Sequence, residues 1–401
     1  MSTDIKAGTI RTVAGNGDSG LTGDGRAATS ACLNEPKGVA IDGKGNLLIA
    51  DSENHLVRKV DRQTGEITTI AGISGAPMPR LEVMKPVAEP EMEHDDPFSD
   101  AGTTGEHAFA QQTDLSGTVR YVANGAGIAK RFGGDGDLAR QALLNFPTAV
   151  AVDQAGHLYI ADTMNHRVRR IEAGTGLITT IAGIGQPRYS GDGGAAVAAG
   201  LNDPVALAVG ETGVLYIADQ SNNRVRAVDL TTGLIRTIAG TGSASFNGDG
   251  IPAIEADLAG PSGLALDKDG KLFIADTFNG RIRAIDPTTG LIETVVGDGG
   301  EYRYQGAVEP PSASVSRPSG IALDAEGNLF ITDSDNHLVR RWDRSTGRLN
   351  RLAGVGVANY GGDGGSALEA SLSYPFGVAV NPHGHLVIAD TFNHRIREIV
   401  L

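Results

Sequence analysis

The sequence has little cysteine, little tryptophan, a deficit of positive charge and no long apolar run. Its single cysteine among 401 residues excludes an internal disulfide framework and a zinc site of four cysteines. Lysine and arginine number 34 against 48 aspartate and glutamate, and the net charge of -14 disfavours nucleic acid and anionic membranes as partners. No apolar run reaches membrane-spanning length, and no apolar signal segment follows Met1. We therefore expect a cytoplasmic protein with no nucleic-acid and no membrane partner.

The sequence is instead rich in glycine, with 56 residues, and it repeats itself every 57 residues. A proline opens each copy of the repeat: Pro36, Pro147, Pro204, Pro261, Pro318 and Pro375. The spacing is even except for the first step, which is 111 residues long and exceeds one repeat by 54. Such a period is typical of solenoids and propellers. The sequence predicts six copies in a single domain over residues 1–401, with residues 73–126 inserted between the first two copies.

Each copy contains four short β-branched and apolar runs, separated by turns rich in Gly, Asp and Asn. The sixth copy shows the first three runs, at residues 375–380, 386–390 and 395–399. The third copy shows the fourth, at residues 232–240. This pattern is typical of strands and turns, and the repeat has no helical periodicity. The sixth copy ends at Leu401 without a fourth run, whereas residues 8–15 have the matching pattern.

We therefore expect an all-β fold, a six-bladed β-propeller of four-stranded antiparallel blades, in which the N-terminal strand closes the last blade. Small residues alternate along the first strand of a copy, as in Gly38 and Ala40 or in Gly377 and Ala379. Because side chains alternate between the two faces of a strand, these residues share one face. We expect that face to lie toward the crowded central axis.

Two runs that recur in the copies carry a resemblance to a known family. In the second copy they are Leu-Tyr-Ile-Ala-Asp at residues 158–162 and Asn-His-Arg-Val-Arg at residues 165–169. The chain resembles the NHL-repeat family, which implies a six-bladed propeller over nearly the whole sequence. Proteins with related propellers include amidating lyases, lactonases, strictosidine-synthase-like enzymes, RNA-binding modules and interaction scaffolds. The resemblance therefore implies no single activity.

Residues that recur at one position of the repeat are interpreted as structural. An aspartate ends each second strand and is expected to bind the backbone of the following turn. A histidine follows it in four copies, at His55, His166, His337 and His394, and these lie too far apart to share one metal ion. A Gly-Asp-Gly motif precedes the proline in five copies. Its aspartate is expected to cap a short helix, with a calcium site as the alternative.

The informative positions are those that differ among the copies. The residues before the six prolines are Glu35, Phe146, Asp203, Gly260, Arg317 and Tyr374, and those after the prolines include Lys37 and Phe376. We expect these side chains at the mouth of the central channel. Glu35, Asp203 and Tyr374 are candidate catalytic groups, because carboxylates and phenols can exchange protons with a substrate.

Lys37 and Arg317 are candidates for binding anionic substrate groups or for stabilising developing negative charge. Phe146 and Phe376 are candidates for further substrate contacts. The alternative is a solvated rim of salt bridges. The connection between the fourth and fifth copies also departs from the repeat, and its Tyr302, Arg303 and Tyr304 are expected to close one side of a pocket, or else to form a packed surface loop.

The insertion at residues 73–126 joins a fourth strand to the next first strand, so we expect it on the channel-mouth face. Long loops on rigid scaffolds often carry function, and residues 76–117 are a candidate lid. Its acidic run contains His94, a candidate base or metal ligand, although a solvated acidic loop is the alternative. Residues 118–123 resemble a fourth strand and compete with residues 66–72 for that place in the first blade.

These observations favour a small-molecule enzyme of the hydrolase or lyase type, with its site at the channel mouth. A divalent metal, zinc or calcium, is a candidate cofactor, with Glu35, Asp203 and His94 as its candidate ligands. The alternative is a non-catalytic scaffold that binds a peptide or protein partner on the same face. The ligand is accordingly expected to be a small molecule or a peptide.

Overall fold

The computed structural model describes residues 6–73, 132–300 and 313–401, together with the backbone of residues 112–113 and 119–120. Six antiparallel sheets surround a central channel, and their first strands contact one another in a closed cycle. Each sheet is a blade of four strands that meander outward from the channel, and small strands lengthen two of the blades. The six-bladed, all-β prediction is therefore confirmed.

The innermost strands begin at the six prolines and are β3 (Pro36–Ile41), β9 (Pro147–Val152), β13 (Pro204–Val209), β18 (Pro261–Leu266), β22 (Pro318–Leu323) and β26 (Pro375–Val380). The second strands are β4 (Leu47–Asp51), β10 (Leu158–Asp162), β14 (Val214–Asp219), β19 (Leu272–Asp276), β23 (Leu329–Asp333) and β27 (Leu386–Asp390). The third strands are β5 (Leu56–Val60), β11 (Arg167–Ile171), β15 (Arg224–Asp229), β20 (Arg281–Ile285), β24 (Leu338–Trp342) and β28 (Arg395–Ile399). The outermost strands are β6 (Glu66–Ala71), β12 (Ile178–Ala182), β16 (Ile235–Ala239), β21 (Leu291–Val296), β25 (Leu349–Ala353) and β1 (Ile10–Ala14).

Short elements complete the blades. The two-residue strands β2 (Arg26–Ala27) and β17 (Ile251–Pro252) pair with β6 and β21. Single turns of 3-10 helix lie before the first strands, at Ala28–Ser30, Ala139–Gln141, Ala196–Ala198, Ala253–Glu255 and Ala367–Glu369. Others follow the second strands, at Thr163–Asn165, Gln220–Asn222, Thr277–Asn279, Ser334–Asn336 and Thr391–Asn393. None of the helices in the described ranges is long and apolar enough to span a membrane.

The N-terminal strand closes the propeller, as the sequence predicts. β1 pairs antiparallel with β28, so that Ile10 lies opposite Ile399 and Arg11 lies opposite Glu398. The Nε of Arg11 donates a hydrogen bond to Glu398 at 2.8 Å. Ile10 is fully buried in the apolar layer shared by the fifth and sixth blades. Residues from both ends of the sequence therefore lie in one sheet, in which β1 covers the edge of β28.

The small residues of the first strands have a different cause from the one expected. A Cβ added to Gly38 would lie 2.4 Å from the carbonyl oxygen of Thr148, and one added to Gly377 would lie 2.3 Å from that of Lys37. Both carbonyl oxygens belong to the first strand of the next blade. The small face is therefore required by the close approach of neighbouring blades, and the expectation that it faces the axis is wrong.

A buried arginine ties each connecting loop to its blade. In the third blade, Arg226 is fully buried and lies 3.2 Å from the carboxylate of Asp219, which ends β14. Its other Nη atom lies 2.5 Å from Asp192 in the Gly-Asp-Gly motif. The equivalent arginines are Arg58, Arg169, Arg283, Arg340 and Arg397, all buried.

This contact corrects the capping prediction for the Gly-Asp-Gly aspartates. The 3-10 turn after Asp192 is Ala196–Ala198; its N-cap residue is Ala195, and no side chain caps it. Asp192 instead accepts the backbone N–H of Thr237 in the outermost strand, besides its ion pair with Arg226. The motif fastens the connecting loop to the outer edge of the blade and to its buried arginine.

The chain divides into two compact units, the propeller at residues 1–75 and 131–401 and a second unit at residues 76–130. In the second unit, β7 (Gln112–Thr113) pairs antiparallel with β8 (Val119–Arg120). The fourth strand of the first blade is β6, so residues 118–123 do not take that place. His94 and the candidate lid at residues 76–117, apart from the backbone of β7, lie outside the described residues, as do Tyr302, Arg303 and Tyr304. The placement of the insertion on the channel-mouth face stays a prediction.

Candidate functional site

The channel mouth is formed where the first strands begin, and its side chains come from backbone in an unusual conformation. The residues before the prolines are all left-handed, with φ between 45° and 56°: Glu35, Phe146, Asp203, Gly260, Arg317 and Tyr374. Glycine adopts this region without strain, whereas glutamate, arginine and aromatic residues seldom do, least of all before a proline. Five blades therefore hold a side chain at the mouth in a strained backbone, and such strain is concentrated at functional sites.

The repeated histidines support these strained residues from the preceding blade. His337 Nδ1 accepts a hydrogen bond from the backbone N–H of Tyr374 at 3.2 Å, and His394 Nδ1 accepts one from Glu35 at 3.1 Å. In the blade that has asparagine at this position, the Oδ1 of Asn223 accepts from the N–H of Gly260 at 3.0 Å. We call this contact the inter-blade latch. It accounts for the repeated histidines without a shared metal.

The latch predicts a specific response to mutation and pH. His337→Ala is expected to lower the free energy of unfolding by about 1 kcal/mol, because the N–H of Tyr374 loses its acceptor. His337→Asn should retain it, as Asn223 does for Gly260. Burial lowers the pKa of His337 below its ordinary 6.5, so the fold favours the neutral ring. The contribution of His337 to the free energy of unfolding is complete above its pKa in the unfolded state. It is lost as the pH falls through its lower pKa in the folded state.

Urea unfolding at about pH 7.5 and about pH 5.5 tests this latch. The wild type should lose more stability between the two pH values than His337→Asn, which cannot titrate at that position. If both proteins lose the same amount, the neutral histidine is not the acceptor that stabilises this seam.

Lys37 is the central group of the mouth on the first blade. Its Nζ lies 3.7 Å from Glu35 Oε2 and 4.3 Å from the centre of the Phe376 ring. The rings of Phe146 and Phe392 follow at 5.5 and 5.7 Å. The side chain is only 5% exposed. A cation among aromatic faces is stabilised by the rings, but its removal from water is costly.

This lysine breaks the repeat. The other five blades have uncharged residues at the same strand position: Thr148, Val205, Ser262, Ser319 and Phe376. Burial lowers the pKa of Lys37 below its ordinary value, although the charges of Glu35 and Glu53 act in the opposite direction. The amine is thus closer to its neutral, basic form than a surface lysine is.

Tyr374 extends the aromatic cluster across the sixth blade. Its ring lies 4.5 Å from that of His337 and 5.0 Å from that of Phe392, both in edge-on geometry. Phe392 in turn lies beside Lys37. Glu35 is therefore linked to Lys37 by an ion pair, and Lys37 is linked to Tyr374 through Phe392. Phe146 and Phe376 belong to the same cluster.

The other predicted mouth residues have partners of their own. Asp203 Oδ2 accepts a hydrogen bond from Ser221 at 2.7 Å, and its Oδ1 lies 3.3 Å from His166 Nδ1. Among the described residues, no group of three or more His, Cys, Asp or Glu side chains is arranged to hold a metal ion. The metal prediction needs His94, which lies outside them.

Arg317 is an exposed cation at the mouth. Its side chain is 55% exposed, its Nε lies 3.4 Å from Asp335, and its guanidinium lies 5.6 Å from the centre of the Phe278 ring. Phe278 is itself 43% exposed. Both groups are open to solvent, which suits the predicted contact with an anionic ligand.

A second variable position of the repeat belongs to the mouth and was missed by the sequence reasoning. Phe392, Phe278, Asp335 and Ser221 all stand in the turn after the second strand, 18 residues beyond the residue that precedes the proline. Each contacts the residue before the proline, either in its own blade or, for Phe278, in the next blade. Its variation among the copies is the signal that could have found it.

The opposite end of the channel has a cavity of about 380 Å³, lined by the loops that follow β3, β9 and β26. Its carboxylates serve their own turns. Asp42 Oδ1 accepts hydrogen bonds from the backbone N–H groups of Lys44 and Asn46, and Asp153 Oδ1 accepts one from the backbone N–H of His157. These aspartates are therefore explained by turn structure, and the strained, charged mouth is the stronger candidate site.

Two family models match the sequence. The NHL repeat matches residues 144–171, 316–342 and 372–399, and the Teneurin NHL domain matches residues 5–87 and 237–309. NHL repeat-containing protein 2 of Homo sapiens is 27% identical over 311 residues, which are 70% of this chain and 42% of that protein. Protein SUPPRESSOR OF QUENCHING 1, chloroplastic, of Arabidopsis thaliana is 27% identical over 333 residues, 80% of this chain and 26% of that protein. This chain spans less than half the length of either relative.

Solved structures share the fold. A structural genomics protein of unknown function from Bacteroides thetaiotaomicron has a TM-score of 0.63 at 19% identity, over 98% of this chain and 75% of that one. A gluconolactonase from Xanthomonas campestris has a TM-score of 0.53 at 15% identity, over 99% of this chain and 98% of that one. At such identities the likeness is one of fold alone.

Proposed function

Because this chain is an NHL-repeat propeller, a fold that leaves the activity open, we propose that its activity lies at the channel mouth, as a small-molecule enzyme of the hydrolase or lyase type. One observation carries the proposal. A buried lysine lies 3.7 Å from a carboxylate at a strand position that is uncharged in the other five blades. Burying a charge costs several kcal/mol unless it is paired, and a scaffold held by the repeat alone has no need of it.

The residues of the cluster suit acid–base chemistry on a bound substrate. Lys37 supplies an amine with a lowered pKa, which favours its use as a general base. Glu35 lies close enough to exchange a proton with it through a small shift or one water. Tyr374 supplies a phenol as hydrogen-bond donor or acid. Arg317 offers an exposed guanidinium to an anionic group of the substrate.

The aromatic side chains and the strained backbone support the same proposal. The rings around Lys37 exclude water, which strengthens every charge interaction there. Glu35 and Tyr374 stand in left-handed backbone, and the latch holds both in place. The zinc or calcium hypothesis, with Glu35, Asp203 and His94 as ligands, is separate, and the acid–base role of Lys37 and Glu35 does not depend on it.

The test is a comparison of ligand binding between two lysine variants. A small-molecule library rich in carboxylates, lactones and esters is screened by ligand-observed NMR on the wild type, and affinities are then measured for Lys37→Met. We expect a loss of at least about tenfold, or about 1.4 kcal/mol, because the variant lacks the buried amine. Lys44→Met, in a turn at the opposite end of the channel, is the matched control and should bind as the wild type does. Equal affinities for all three proteins would contradict the proposal.

A second candidate, a scaffold for a peptide or protein partner, is favoured by the exposure of Arg317 and Phe278. Arginine and aromatic residues dominate the binding energy of protein interfaces. Peptides selected from a displayed library on the wild type should then lose binding to Arg317→Ala and Phe278→Ala but keep binding to Lys37→Met. Binding that is lost in Lys37→Met but kept in Arg317→Ala and Phe278→Ala supports the enzyme.

A further inference from the structure

We propose that Lys37 is a covalent group of the site, whose amine condenses with an aldehyde or ketone to form an imine. The inference rests on the proposed small-molecule site at the channel mouth and names its substrate class, a small carbonyl compound. It adds a nucleophilic role to the lysine, which the acid–base proposal does not require.

The placement of the amine carries the inference. Lys37 is the second residue of the innermost strand β3, so its Cα is held by a rigid element rather than by a loop. The Nζ is surrounded by the rings of Phe376, Phe146 and Phe392, which come from three strands or turns on two other blades. A lysine whose surroundings are apolar is a nucleophile at lower pH than a solvated one.

The neighbouring carboxylate supplies the proton transfers. Glu35 Oε2 lies 3.7 Å from Nζ and can accept the proton of the ammonium, which frees the lone pair. The lone pair attacks the carbonyl carbon, the C–N bond forms as the C=O π bond breaks, and one N–H proton moves to the oxygen, which becomes a hydroxyl. Glu35 then returns its proton to that hydroxyl, the C–O bond breaks, water leaves and the nitrogen lone pair forms the C=N bond of the iminium. Transfer of the remaining N–H proton to the Glu35 carboxylate gives the neutral imine. The sum is one amine and one carbonyl giving one imine and one water, with no oxidant or reductant.

The surroundings also define the substrate. The rings of Phe376 and Phe392 are half-buried beside the amine and favour an apolar or aromatic group next to the carbonyl. They also keep water from the imine, which slows its hydrolysis. An aromatic aldehyde is therefore the simplest probe.

Trapping by reduction tests the inference on the full chain. The protein is incubated with benzaldehyde at neutral pH, reduced with sodium cyanoborohydride, digested and mapped by mass spectrometry. Benzylation of Lys37 should be at least about tenfold faster than that of Lys44 or Lys271, which stand in turns at the other end of the channel. Glu35→Gln should slow the labelling of Lys37 without changing that of Lys44. Lys37→Arg, confirmed as folded by circular dichroism, should show no fast site.

Labelling of Lys37 no faster than that of Lys44 would overturn the inference. The failures of the two proposals are separable. If Lys37→Met loses ligand affinity but Lys37 is not trapped, the small-molecule site stands and the covalent role falls. If Lys37 is trapped but its substitution leaves every ligand affinity unchanged, the proposed function falls and the reactive lysine remains.

Discussion

Replacing Arg226 by methionine is expected to lower the free energy of unfolding by about 3–5 kcal/mol. The guanidinium is fully buried and bridges Asp219 to Asp192, at 3.2 and 2.5 Å. It also donates to the carbonyl oxygens of Gly200 and Ser190, both at 3.2 Å. Methionine fills much of the space but leaves a buried carboxylate without its counter-charge.

Urea unfolding followed by circular dichroism measures the loss. The matched control is Arg236→Met on the neighbouring strand β16, where the side chain is exposed, and it should change stability by less than about 0.5 kcal/mol. A similar small change for Arg226→Met would mean that the buried arginines do not fasten the loops to the blades.

Ile10→Ala is expected to lower the free energy of unfolding by about 2–5 kcal/mol. Ile10 is fully buried and lies opposite Ile399 in the sheet that joins the two ends of the chain. Because this sheet closes the propeller, we also expect faster amide hydrogen exchange along β28. Arg11→Ala on the same strand removes only a half-exposed ion pair and should cost about 1 kcal/mol or less. Unchanged exchange in β28 would contradict the closure.

Most of the fold could be predicted because the repeat is regular. The even spacing from Pro147 onward gives the number of blades, and residues 8–15 match the fourth strand that the last copy lacks. The contacts that hold the repeat could not be assigned in the same way. Asp192 pairs with Arg226, 34 residues away, whereas the sequence suggested a cap on the adjacent turn. The position of the Gly-Asp-Gly motif before a short helix predicts a contact with that helix. The aspartate instead contacts an arginine that is distant in sequence and close only in the folded blade.

The candidate site could be predicted only in part, for a similar reason. Variation before the proline made Glu35 and Tyr374 candidates, because a residue that differs among otherwise similar blades is not required by the repeat. Of the rings around Lys37, those of Phe146 and Phe376 belong to predicted mouth residues, whereas Phe392 was not predicted, since it stands far from Lys37 in sequence and meets it only across blades. The acceptor role of His337 was hidden likewise, because its donor is a backbone N–H of the next blade.

The central claim is that repeated residues hold the propeller together, whereas the residue that breaks the repeat at the mouth serves the site. The most direct test is the free energy of unfolding of Lys37→Met measured beside that of Arg226→Met. Lys37→Met leaves the Glu35 carboxylate, which is 3.7 Å from the amine and 14% exposed, so water can hydrate it, whereas Arg226→Met leaves the fully buried Asp219. Lys37→Met should therefore stay within about 1 kcal/mol of the wild type. A loss of about 3 kcal/mol or more, equal to that of Arg226→Met, would show that Lys37 is another structural residue and would contradict the account.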